Sequence, residues 1–269
     1  MTAITAMEDV GERARLSAKR RDRILSVASP IGLLLAWEFA ARVHFIDVRF
    51  FPAPSSIILA LVTIARSGEL LDNLTISLER LFFGFLLGGL PALILGIVMG
   101  ISRPIRAFVD PLIAATYPIP KSSILPLILL IFGLGEMSKV VMVAIGVFYP
   151  IAINATAGVL QINPVYLDVG KSFRANRLET FRTIALPGAL PFIMTGVKLG
   201  AGLGLILIAI AEMVGAKSGI GYMIWSAWET FSVERMYVGL FVIAIIGFSM
   251  TLALNEVERW LIPWKAERS

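Results

Sequence analysis

The sequence has no cysteine and only one histidine, His44, in 269 residues. The absence of cysteine excludes a disulfide framework, a cysteine metal site and a thiol nucleophile. One histidine cannot build the histidine cluster of a zinc or di-iron centre, so no metal site is expected. Paired carboxylates are scarce as well, which makes an intramembrane enzyme an unfavourable interpretation and leaves no candidate catalytic residue.

Charge is also scarce, since 16% of the residues are charged and 57% are hydrophobic. A typical soluble domain has about 25% charged and roughly 45–50% apolar residues. Residues 81–102, 140–167 and 236–255 contain no charged residue at all. Because a bilayer core needs a helix of about 20 mainly apolar residues, the chain is predicted to be an all-α polytopic membrane protein. The alternative is a large soluble core of buried helices.

About six membrane-spanning helices account for the apolar runs. They are predicted at about 24–41, 81–101, 107–133, 140–160, 190–214 and 236–256. The third must be kinked or locally unwound, because it contains Pro111, Pro118, Pro120 and Pro126. Residues 50–73 predict a helix of about ten residues that is too short to span and lies at the surface. A signal peptide is the alternative for the first span, but its apolar run is long for a signal core.

Basic residues are distributed unequally over the two sides that six spans define. The side with both termini carries fifteen lysines and arginines and the other side carries seven. Cytoplasmic segments of membrane proteins are enriched in these residues, so both termini are predicted to be cytoplasmic. The same bias accounts for the net charge of +5 without a nucleic-acid partner. The predicted organisation is a cytoplasmic tail at 1–23, a transmembrane domain at 24–262 and a cytoplasmic tail at 263–269.

The cytoplasmic loop 161–187, between the fourth and fifth spans, has the pattern of two short helices. Asn163 and Pro164 suit the N-cap and the first position of one helix. Asn176, with Glu179 three residues later, suits the start of the second, and Pro187 is expected to end it. A basic, structured loop of this kind is typical of a docking surface for a soluble partner, although such helices can also merely cap the bundle.

This loop resembles the EAA segment of permease subunits of bacterial ATP-binding-cassette importers, whose pattern is E-A-A-x(3)-G-x(9)-I-x-L-P. The end of the pattern matches at Ile184, Leu186 and Pro187. The start departs at every place, with Asp168 for glutamate, Val169 and Gly170 for the alanines, and Arg174 for glycine. If the family's bend needs a positive φ at the glycine, Arg174 is strained there, or the bend shifts to Ala175 and Asn176.

Further segments resemble the nitrate, sulfonate and taurine branch of these permeases. Together they cover nearly the whole chain after residue 24, as FPAPSSIILAL, SGELLDNLTISLERLFFGF, YPIPKSSILPLILLIFGLGEMSK, LPGALPFIMTGVKLG and AEMVGAKSGIGYMIWSA. The chain has no phosphate loop, and its GAGLGL stretch lies in an apolar span without a preceding strand, which favours helix packing over nucleotide binding.

The resemblance implies one half of a dimeric pathway in the bacterial inner membrane, formed with a second, identical copy. It implies two cytoplasmic ATPase subunits, which hold the ATP and magnesium, and a periplasmic or lipid-anchored substrate-binding protein. No cofactor is expected in this chain. The residues implied in ATPase coupling are Asp168, Gly170, Ser172, Phe173, Arg174, Ala175, Asn176, Arg177, Glu179 and Pro187.

Charged and polar residues inside the membrane are costly and are candidates for the substrate pathway. Lys121, beside Ser122 and Ser123 in the broken third span, is placed to meet an anionic substrate, with snorkelling or pairing inside the bundle as the alternative. Asn154 is expected to line the pathway or to bond between helices. Glu212 is expected to gate the pathway or to brace the following loop, with a structural salt bridge as the alternative.

The predicted function is import of a small anionic nutrient, such as a sulfonate, taurine or nitrate. A heterocyclic or vitamin-precursor nutrient of the same branch is the first alternative. A stand-alone secondary transporter is the second, but it should show inverted repeats and intramembrane proton carriers, and the six spans show no convincing repeat.

Overall fold

The computed structural model describes residues 28–264, together with Arg21 and Leu25. The predicted tails at 1–23 and 263–269 therefore lie almost entirely outside the described residues. In the part of the chain that is described, the fold is helical and contains no strand.

The helices in the described residues are α1 28–42, α2 Pro54–Arg66, α3 Glu69–Ile101, α4 Arg103–Thr116, α5 Leu125–Phe132, α6 Glu136–Leu160, α7 Pro164–Ser172, α8 Arg177–Thr180, α9 Leu186–Met213, α10 Ile220–Glu229 and α11 Val233–Leu261. A 3-10 turn, Lys121–Ile124, precedes α5, and a π-helical turn, Phe181–Ala185, joins α8 to α9.

Among the described residues, four helical stretches are long and apolar enough to cross a membrane: Glu69–Ile101, Glu136–Leu160, Phe181–Met213 and Val233–Leu261. A fifth candidate is the pair Arg103–Thr116 and Lys121–Phe132, which is bent by 86°. The bend confirms the predicted break in the third span. Five of the six predicted spans are thus recovered, and the first, at 24–41, is only partly described.

The chain divides into two compact units, residues 1–63 and 64–269. In the first unit, one carboxylate oxygen of Glu38 accepts the backbone N–H of Ser55 at 3.0 Å, and the other accepts its hydroxyl at 2.8 Å. Arg42 donates to the same carboxylate at 2.6 Å. Glu38 therefore stabilises the start of α2, where exposed backbone N–H groups favour an anion. With 13 residues, α2 is too short to span a bilayer, as predicted.

In the second unit, α6 lies between α3 and α9. Glycines allow the backbones to approach closely, since a Cβ on Gly88 would lie 2.2 Å from the Ala144 carbonyl oxygen and one on Gly96 would lie 2.5 Å from that of Ala152. Lipid removes the hydrophobic force between helices, so association depends on close packing of this kind. The buried core of this unit contains Leu81, Ala92, Val143, Val147, Ile151, Ala152, Leu205 and Ile208.

Two details of α9 bear on the sequence analysis. Gly200 and Gly204, in the GAGLGL stretch, pack against Val147 of α6, which confirms a packing role for these glycines. The prediction that Pro187 ends the second loop helix is wrong, because α8, the π-helical turn and α9 run on without a break. A proline in the first turn of a helix costs no intrahelical bond, and the π-helical turn shifts the bonding pattern just before it.

Candidate functional site

The first helix of the loop 161–187, hereafter the docking loop, begins as predicted. The side-chain oxygen of Asn163 accepts the backbone N–H of Val165 at 3.0 Å, and Pro164 is the first residue of α7. The Ser172 hydroxyl donates to the Asp168 carbonyl at 3.0 Å in the last turn. Both ends of α7 are therefore fixed by contacts within the loop itself.

The bend after α7 falls on Arg174, which has a φ of 53°. The N–H of Ala175 donates to the carbonyl of Gly170 at 2.9 Å, and the N–H of Phe173 donates to that of Val169 at 3.1 Å. This pattern is a helix C-terminus closed by one left-handed residue, a position that glycine usually fills. The strained alternative of the sequence analysis is therefore the one observed, since Arg174 takes the glycine position of the EAA pattern.

The second helix of the docking loop opens with a reciprocal cap. The backbone N–H of Glu179 donates to the side-chain oxygen of Asn176 at 2.9 Å, and the N–H of Asn176 donates to the Glu179 carboxylate at 2.7 Å. This is the capping box that their spacing predicts, and it satisfies two N–H groups at the helix start. Gly170 lets α7 pack closely on the π-helical turn, because a Cβ there would lie 2.9 Å from Cδ1 of Ile184.

The outer surface of the docking loop is accessible. Phe173, at the bend, is 83% exposed, and Ala175 and Pro187 are partly buried. The other predicted coupling side chains that are exposed are Asp168, Ser172, Arg174, Asn176 and Glu179. Gly170 is buried, and the side chain of Arg177 lies outside the described set. The bend therefore exposes an aromatic ring and charged groups.

Lys121 lies in the break between α4 and α5. Its ammonium donates to the carbonyls of Thr116 at 2.9 Å and Tyr117 at 3.0 Å, at the end of α4. It also lies 4.1 Å from the ring centroid of Tyr149 on α6, within the range of a cation–π contact. Lys121 thus caps α4 in this conformation, while the neighbouring Ser122 and Ser123 are exposed.

Asn154 and Glu212 are brought to different parts of the unit. The Asn154 amide donates to the Pro150 carbonyl of its own helix at 2.8 Å, where Gly196 of α9 passes closely. Glu212 is 1% exposed and accepts Arg80 at 2.9 Å. It also accepts the N–H of Gly221 at 2.9 Å. The Arg80 contact is a buried salt bridge between α3 and α9, the structural alternative for Glu212.

The residues around Glu212 form a connected group, here called the Arg80 cluster: Ser77, Arg80, Glu136, Glu212 and Ser218. Arg80 is 3% exposed and donates to both carboxylates and to the Ser218 carbonyl at 2.8 Å. Lys139 lies nearby and donates to the carbonyls of Leu134 and Gly135.

Arg80 and Lys139 are two of the seven basic residues counted from the sequence on the side opposite the termini. Both lie inside helices and are buried, because their side chains satisfy carboxylates and carbonyls of neighbouring elements. The position of both residues next to long apolar runs was the sequence signal that could have predicted their burial. In the described residues, no group of three or more histidine, aspartate or glutamate side chains is placed to hold a metal ion.

Known proteins resemble the chain in sequence and in fold. Residues 92–265 match the family described as binding-protein-dependent transport system inner membrane component. The taurine transport system permease protein TauC of Escherichia coli (strain K12) is 35% identical over 255 residues, which cover 92% of each chain. The putative aliphatic sulfonates transport permease protein SsuC of Bacillus subtilis (strain 168) is 28% identical, covering 94% of this chain and 92% of the relative.

A solved chain of the MetNI methionine ABC transporter, in an inward-facing conformation, has a TM-score of 0.51 and 21% identity. The alignment covers 70% of this chain and 91% of that chain, and it supports the fold alone.

The apolar helices, the broken span and the capped docking loop together define a membrane-embedded transport subunit. The chain belongs to the family of binding-protein-dependent transport system inner membrane components. It is the permease subunit of an ATP-binding-cassette importer and is related to the taurine and aliphatic sulfonate permeases.

Proposed function

We propose that this permease forms the translocation pathway for small organic anions of the sulfonate type. The observation that carries the proposal is the similarity to a taurine permease at 35% identity over 92% of the chain. A putative aliphatic sulfonate permease, SsuC of Escherichia coli (strain K12), is 33% identical over 87% of the chain, which supports the same substrate class. A substrate-binding protein delivers the anion, and a second copy of this chain supplies the other half of the pathway.

The docking loop is the proposed contact for two separate ATPase subunits, which hold the ATP and magnesium. An 83% exposed phenylalanine, Phe173, stands at the tip of a closed and capped bend. A large exposed aromatic ring gains by burial in a partner's groove. Arg174 and Glu179 flank it and supply exposed charges that can select a complementary partner.

The proposed location is the bacterial inner membrane, with both termini in the cytoplasm. Fifteen lysines and arginines on the side of the termini against seven on the opposite side support this orientation.

For the pathway itself, Lys121 is the proposed cation, with Ser122 and Ser123 as hydroxyl donors beside it. Its position in the break of a span supports this role, because irregular backbone at membrane depth is tolerated where it lines a cavity or packs in protein. Asn154 and Glu212 have intramolecular partners, so we assign them supporting roles along the same helices.

The test is uptake by the complete importer in proteoliposomes, with its own ATPase and binding protein. We expect ATP-dependent uptake of radiolabelled taurine or ethanesulfonate. Uptake of a heterocyclic vitamin precursor, with no competition by sulfonates, would replace the proposal with its first alternative. Transport that proceeds without an ATPase would contradict the importer mechanism.

The docking part is tested with Arg174→Glu. We expect the variant to lose co-purification of the ATPase and substrate-stimulated ATP hydrolysis, because the charge at the bend is reversed. The matched control is Arg103→Glu, at the exposed start of α4, where a carboxylate suits the helix N-terminus. If both variants retain the ATPase, Arg174 has no part in docking.

A further inference from the structure

An apolar groove lies beside Lys121 on the surface between α3 and α6. It has a volume of about 230 Å³ and is lined by Leu87, Val141, Ile145, Phe148 and Tyr149, together with the small residues Gly88 and Ala144. No polar side chain other than the Tyr149 hydroxyl lines it. The groove is therefore shaped for an aliphatic group and offers no partner to a charged one.

The groove and Lys121 share one wall. Tyr149 lines the groove, and its ring faces the Lys121 ammonium at 4.1 Å. Val141 and Ile145 pack on the same core cluster as Ile124, which closes the 3-10 turn that Lys121 begins. A positive charge thus lies against Tyr149, one of the residues that line the apolar groove.

We propose that the groove holds the aliphatic tail of an organosulfonate while Lys121 binds its sulfonate head. This proposal rests on the proposed function and specifies its substrate class as anions with an apolar tail. The Lys121 ammonium remains close to the Tyr149 ring, and the anion approaches it from the open side. Ser122 and Ser123 are exposed beside it and can donate hydroxyl hydrogens to the sulfonate oxygens.

The length of the aliphatic tail sets how strongly the groove should prefer one sulfonate over another. Each methylene that leaves water strengthens binding about fourfold when it is fully buried. Hexanesulfonate has four methylenes more than ethanesulfonate, so partial burial in an open groove still predicts at least about a tenfold advantage. Nitrate has no tail and gains nothing from the groove.

The first experiment fills the groove with Leu87→Trp and compares uptake of hexanesulfonate and ethanesulfonate by the complete importer. The ratio of the two KM values is expected to shift by about tenfold against hexanesulfonate. The same binding protein delivers both sulfonates, so its preference cancels when the ratio is compared with that of the wild type. Leu90→Trp, an exposed leucine on the same helix that does not line the groove, should leave the ratio unchanged.

The second experiment uses the absence of natural cysteine. Ile145→Cys places a single thiol in the groove, and hexanesulfonate is expected to slow its labelling by N-ethylmaleimide more than ethanesulfonate does. Adding Lys121→Met, which keeps an unbranched side chain but no charge, should abolish the protection. Ile153→Cys on the same helix, outside the groove, should react at one rate with or without either sulfonate.

These outcomes separate the two proposals. An importer that takes up neither sulfonate overturns the proposed function. In that case the protection of Ile145→Cys from labelling still tests whether the groove binds the aliphatic tail. Normal uptake with an unchanged KM ratio in Leu87→Trp overturns the groove and leaves the function standing. If the thiol at position 145 does not react with N-ethylmaleimide, because protein or lipid covers it, the proposal that the groove binds a sulfonate tail is also overturned.

Discussion

The Arg80 cluster and the docking loop lie at opposite ends of α6 and use their charges in opposite ways. In the cluster, Arg80 and Glu212 are 3% and 1% exposed, and their partners come from α3, α6, α9 and the segment before α10. In the docking loop, the capping bonds join residues no more than five positions apart, and Phe173 is 83% exposed.

The difference separates charges that hold the fold through buried pairs from charges that lie at the surface. A buried ion pair is costly to break, because removal of one member leaves the other charged and unsolvated. An exposed charge contributes little to stability, since water and salt screen it. Arginine therefore stabilises the helix packing at position 80, whereas at position 174 it is available for recognition.

The largest effect is expected for Arg80→Ala. The substitution leaves Glu212 buried without its cation, which costs about 3–5 kcal/mol for a buried pair. We expect poor accumulation in the membrane and a large loss of thermal stability of the purified protein in detergent.

The matched control is Arg235→Ala. Arg235 pairs with Glu69, and their side chains are 38% and 37% exposed. A pair of this kind contributes about 0–1 kcal/mol, so the control should remain close to the wild type. Equal losses in the two variants would contradict the contrast between buried and exposed charges.

An intermediate effect is expected for Gly88→Ala. Its new Cβ would lie 2.2 Å from the Ala144 carbonyl oxygen, so α3 and α6 must move apart. Overpacking of this kind costs about 1–3 kcal/mol, measured as thermal stability in detergent. Gly202→Ala on α9 is the control, since nothing lies within 4 Å of its Cβ and alanine favours a helix. A loss at Gly202 as large as that at Gly88 would argue against close backbone contact as the cause.

Features that depend on neighbouring residues could be predicted from the sequence. The cap between Asn176 and Glu179 follows from a spacing of three residues, and it is observed. The break in the third span follows from its prolines, and the long spans follow from apolar runs that only a membrane explains. In each case the cause and its effect lie within one continuous stretch of the chain.

Features that depend on distant residues could not be predicted. Arg80 and Glu212 are 132 positions apart, and only the packing of α3 beside α9 brings them together. The contact of Lys121 with Tyr149 depends on the 86° bend, whose angle no pattern of prolines specifies. The helix α10 has no counterpart among the predicted elements, although Ile220, Met223, Ile224 and Ala227 recur at the spacing of one buried helix face and were a usable signal.

The smallest effect is expected for Arg174→Gly, which tests whether the docking loop carries strain that serves recognition. A left-handed residue other than glycine costs roughly 1–2 kcal/mol, and part of that gain is offset by the greater freedom of glycine in the unfolded chain. The net gain is therefore below about 1 kcal/mol and local, so it should appear as slower hydrogen exchange at the Ala175 amide, which donates to Gly170. Ala175→Gly is the control one residue later and should instead speed exchange in the docking loop. If Arg174→Gly slows exchange in the docking loop yet weakens ATPase binding, the arginine side chain contacts the ATPase, and the backbone strain at position 174 accompanies that contact. If binding is unchanged, the bend recognises its partner through shape and Phe173, and the charge at position 174 has no role in docking.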